Sequence, residues 1–75
     1  MTPLEKVESL VLETFGKEAA VSVDDSLQVP GKTVVRVWNK EGLVVSETKP
    51  LGSRSEALAS MRDLLERRLF LGEDD

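Results

Sequence analysis

The chain has no histidine, cysteine or tyrosine, so the usual general base and most activated nucleophiles are missing. No histidine is present to activate its serines and threonines, and no glycine-rich phosphate loop is present. The residues therefore predict a protein that binds rather than one that catalyses. A zinc site built on cysteine or histidine is ruled out. The acidic clusters Asp24-Asp25 and Glu73-Asp74-Asp75 lack both the spacing and the glycine of a calcium loop. They read as solvated charges, and no metal or cofactor is expected.

What is left for recognition is one indole and an uneven charge pattern. Trp38 is the only tryptophan, and Trp and Arg are the residues most often found as interface hot spots. Period-two alternation groups Trp38 with Val34, Arg36, Val44 and Ser46, and with Thr48, on one side of a sheet. The first five are the candidate protein-binding face. A strand shifted by one residue, or Leu27, Leu51 or a chain end folded over the indole, would remove that face. Stacking of single-stranded nucleic acid on Trp38 is weakly supported by one Trp with one Arg.

The net charge of −4 is not evenly spread: residues 1–31 carry −4, residues 32–54 carry +3 and residues 55–75 carry −3. Solvated surface side chains are the ordinary account of the basic stretch Lys32, Arg36, Lys40, Lys49 and Arg54. The acidic flanks weaken its field on any polyanion. No apolar run approaches the ~20 residues of a membrane span, and the first six residues mix acid and base. A cytoplasmic chain that does not engage membranes is expected.

The elements that would position these groups are legible. Thr2-Pro3-Leu4-Glu5 combines a cap, a proline at the first helical position and the glutamate of a capping box. Apolar residues at helical spacing predict a helix over residues 3–15, closed by Gly16. Residues 19–23 read as a short strand ended by Asp24-Asp25. Leu27 and Val29 in the next loop either anchor it to the core or extend a strand. Residues 33–38 and 43–48 form a hairpin around Asn39-Lys40-Glu41-Gly42, with Gly42 at the position needing positive φ. If Asn39 faces Leu43, then Val35, Val37, Leu43 and Val45 share the inner face. Ser53-Arg54-Ser55-Glu56 opens a second helix over about residues 54–71. Its stripe is Ala57, Leu58, Met61, Leu64, Leu65 and Leu69, with Arg68 set inside it, and Gly72 and an acidic tail over 73–75 come after it. Arg62 with Glu66 and Asp63 with Arg67 are spaced for surface pairing.

Seventy-five residues in this order predict one α+β domain over 1–75. It is a two-layer sandwich, αβββα, with both helices on one face of a three-stranded antiparallel sheet. Order and length resemble the double-stranded-RNA-binding domain over nearly the whole chain. The strand after Pro30-Gly31, the hairpin at Gly42 and Gly52-Ser53-Arg54-Ser55-Glu56-Ala57 sit where that family has them. The resemblance implies RNA contacts from Glu5 and Glu8 on the first helix, Lys32 in the first loop and Arg54 at the start of the second helix. The family's lysine cluster is here reduced to Arg54, and its loop histidine is absent.

These residues support three readings. The favoured one is a non-catalytic protein-binding or regulatory module using the Trp38 face, with an unidentified protein or a second copy as partner. The second is a divergent double-stranded-RNA-binding domain, which needs several cations on one surface for counterion release. The third is an acidic inhibitor that imitates nucleic acid through its helix carboxylates.

Overall fold

A computed structural model of the protein describes residues 1–70. The expected Gly72 stop and the 73–75 tail lie outside the described residues. Five elements succeed one another: α1 (Pro3–Phe15), β1 (Ala20–Asp25), β2 (Thr33–Trp38), β3 (Val44–Glu47) and α2 (Arg54–Phe70). The strands form one antiparallel sheet in the order β1-β2-β3. The fold is α+β, as the sequence predicts.

Local chemistry sets the helix starts. Thr2 Oγ1 accepts from the Glu5 amide at 3.1 Å, and the Thr2 amide donates to Glu5 Oε1 at 2.9 Å, closing the capping box. Ser53 Oγ accepts the Glu56 amide at 3.1 Å in the same way. At the hairpin, Asn39 closes the turn through its backbone and its side chain, and Gly42 takes φ 82°.

Both helices pack on the face of the sheet that carries Val35 and Val37. Val7, Leu10 and Val11 from α1 and Ala57, Leu58, Met61 and Leu65 from α2 complete one core. Arg68, expected within the α2 stripe, lies over the Phe15 ring at 5.3 Å to its centroid, a cation–π contact between the two helix ends.

Four expectations are corrected. β1 does not stop at Asp24-Asp25 but runs through both, because each pairs with β2, Asp24 with Val34 and Asp25 with Thr33. The hairpin register begins as expected at Trp38–Val44, but Val37 then pairs with Ser46 rather than Val45. A bulge at Val45 inserts one residue and reverses the facing of the strand beyond it. Leu43, expected inside, is 63% exposed. Leu27 neither anchors its loop nor extends a strand: it is 97% exposed. The loop is held by Ser26, whose hydroxyl accepts the Gln28 and Val29 amides at 3.3 and 3.1 Å.

Candidate functional site

The outer face of the sheet, opposite the helices, is built by register. Ala20 of β1, Trp38 of β2 and Val44 of β3 stand side by side in one row across all three strands. Ser22 and Asp24 continue the face along β1, Val34 and Arg36 along β2. Trp38 is half-buried and lies outside the core cluster, so its indole stands on the side away from the helices.

The polar groups of this face are matched from within. The Trp38 indole N–H donates to Ser22 Oγ at 2.9 Å, a diagonal cross-strand contact. Arg36 Nε donates to Glu47 Oε2 at 2.6 Å, and Arg36 Nη1 lies 3.9 Å from Asp24 Oδ2. The guanidinium is thus held between a carboxylate from each edge strand. Beyond the row, Leu43 is exposed and Val44 is 42% exposed.

Two residues assigned to this face do not serve it. Val34 is only 3% exposed. It lies in a hollow of about 340 Å³ whose walls include Ser26, Gln28, Lys49 and Pro50, so the two loops that flank the Thr33 end of β2 enclose it. Ser46 points the other way, toward α2, with its hydroxyl 3.7 Å from Met61 Sδ. The Val45 bulge is the cause, and it puts Glu47 beside Arg36 instead. Thr48, also expected outside, is buried, and its hydroxyl takes the Val35 amide. The apolar row on this face is therefore Ala20, Trp38 and Val44, bordered by Ser22 and the Arg36 cluster. Sequence reasoning missed Ala20, Ser22 and Asp24, whose place depends on which β1 residue meets which β2 residue, and Glu47, whose place depends on the Val45 bulge. Small and polar residues alternating with Val21 and Val23 were the one available signal.

Of the four residues implied by the RNA-binding resemblance, Glu5, Lys32 and Arg54 fall near the starts of the two helices, and Glu8 does not. A Thr33–Leu51 bridge brings the first loop to the start of α2. There a Cβ on Gly52 would stand 3.1 Å from Glu56 Oε1 and 3.8 Å from Lys32 Nζ, so the lysine shares its place with a carboxylate. Arg54 lines a hollow between the starts of the two helices, beside Thr2, Pro3 and Leu4. Glu8 lines a different groove, between α1 and β1. The Glu5 carboxylate is engaged by the Thr2 amide. Lys40 pairs with Glu18 at 4.0 Å, and Arg36 is already neutralised. A duplex phosphate backbone needs several cations on one surface, and of the four implied residues only Lys32 and Arg54 are cationic.

Among the described residues, no group of acidic side chains is arranged to hold a metal ion, and no helix is long and apolar enough to cross a membrane. Fold and surface together define a small open-faced α+β domain with a neutral apolar row on its bare side. No protein-family model, curated protein or solved structure matches this chain.

Proposed function

We propose that the protein is a non-catalytic protein-binding module that docks through the sheet face around Trp38, with a second copy of itself as the occupant. The observation that carries this is the Ala20–Trp38–Val44 row. It is apolar, it spans the sheet, and the polar groups beside it are already satisfied. Covering such a face strands no donor and buries no unpaired charge, which is the usual cost of desolvating a polar surface. Sheets pack readily face to face, and two-fold pairing is the commonest closed assembly. Every copy supplies the neutral apolar counterpart the row needs. A cytoplasmic setting belongs to the same proposal.

Trp38, as the sole indole, reports directly on its own face. Analytical ultracentrifugation over a wide concentration range is expected to show a monomer–dimer equilibrium, with Trp38 emission shifting to the blue as dimer forms. Val44→Lys should be monomeric with an unchanged far-ultraviolet circular dichroism spectrum. A wild-type chain that stays monomeric, with emission independent of concentration, overturns the proposal. Salt-sensitive binding of duplex RNA would move the assignment to the RNA-binding reading.

A further inference from the structure

The free edge of β1 is a second surface, independent of the Trp38 face. Its backbone phase is set by β2. The Val35 amide and carbonyl are taken by Thr48 at 3.1 and 3.0 Å, and Thr33 exchanges both bonds with Leu51. Odd-numbered residues of β2 therefore direct their backbone groups toward β3, and even-numbered ones bond to β1. Through the register, Ala20, Ser22 and Asp24 bond inward, while Val21, Val23 and Asp25 point N–H and C=O away from the sheet. Among the described residues, no hydrogen bond outside the sheet takes up those groups.

Beside this edge runs a groove of about 380 Å³ between α1 and β1, lined by Val11, Leu12, Ala19 and Val21. Leu12 is 54% exposed while its neighbours Leu10 and Val11 are buried in the core. Glu8 and Lys17 also line the groove. Lys17 sits at the turn joining α1 to β1, and Glu8 lies about two helical turns back along α1. Among the described residues Glu8 and Asp25 have no ion-pair partner. The groove is thus cationic at the turn and anionic away from it. The other edge is a poorer template, since β3 has four residues and a bulge, features that discourage strand pairing.

We propose that the β1 edge and this groove form a strand-addition site for an extended peptide of another protein, apolar at alternate positions and carrying a lysine or arginine that meets Glu8. Main-chain bonds to Val21 and Val23 supply attachment, and alternate side chains pack over Leu12 and Ala19. The cation lies toward the Asp25 end, away from Lys17.

The test is selection of heptapeptides from a display library against the full chain, then titration of the selected peptides with amide resonances monitored. Selected peptides are expected to alternate apolar residues, to contain Lys or Arg, and to shift the Val21 and Val23 amides. Glu8→Lys and Leu12→Arg should each weaken binding about tenfold or more. Val44→Lys should leave it unchanged, which separates this site from the Trp38 face. Both groove positions are exposed, so both variants should keep the wild-type circular dichroism spectrum. If Leu12→Arg unfolds, Glu8→Lys decides alone. No enrichment, peptides that bind both variants normally, peptides that perturb the Trp38 row, or a β1 edge already paired with its own copy would each overturn the proposal.

Discussion

Thr48 restores the order that the Val45 bulge disturbs, and replacing it measures what that restoration contributes. Its amide donates to the Val35 carbonyl at 3.0 Å, and its hydroxyl accepts the Val35 amide at 3.1 Å. Val35 is fully buried and Thr48 nearly so, and no buried side-chain donor or acceptor is left without a partner among the described residues. Thr48→Val keeps the shape but leaves the Val35 amide with no acceptor, at a cost of about 1–3 kcal/mol. The added methyl returns at most ~0.8 kcal/mol. A net loss of about 0.2–2 kcal/mol is expected. Thr48→Ser keeps the acceptor and loses one methyl, so it should cost only ~0.8 kcal/mol. Against a total stability of about 4–11 kcal/mol for a domain this size, the valine variant is a large perturbation. Each kcal/mol should lower Tm by about 4–8 °C. Urea denaturation monitored by Trp38 emission and circular dichroism gives both values, with an unchanged m-value as the control for two-state behaviour. A valine variant as stable as the wild-type chain, or more so, would refute the claim that the hydroxyl replaces a missing strand bond.

Two smaller perturbations check the surroundings of the Trp38 face. Arg36→Met should cost under ~1 kcal/mol, because Asp24 and Glu47 are about half exposed, and the difference should shrink in high salt. A larger, salt-independent loss in urea denaturation would mean that the guanidinium stem, not its charge, holds the face. Gly42→Ala meets no neighbouring atom, so its cost of about 1 kcal/mol is purely that of φ 82° in a residue with a side chain. An alanine variant with unchanged Tm would show that the hairpin relaxes into another turn.

The sequence by itself determined what depends on near neighbours. The α1 start is written in Thr2, Pro3 and Glu5, the hairpin turn in Asn39 and Gly42, and the α2 start in Ser53 and Glu56, because each of these bonds closes within a few residues. Helical spacing likewise names Val7, Val11, Leu58, Met61 and Leu65 as core. The side on which Trp38 stands was also legible, since alternation within β2 is unbroken.

Only the tertiary structure decided the make-up of the site. The Val45 bulge exists only when β3 closes on β2, and it alone turns Ser46 inward and brings Glu47 to Arg36. Val34 has an exposed-face pattern but is buried, because two loops distant in sequence meet above it. Ser22 and Asp24 acquire their roles from a register with residues about ten or more positions away. Such contacts are set by how the layers close, a cooperative property of the whole chain, so period and propensity carry no record of them.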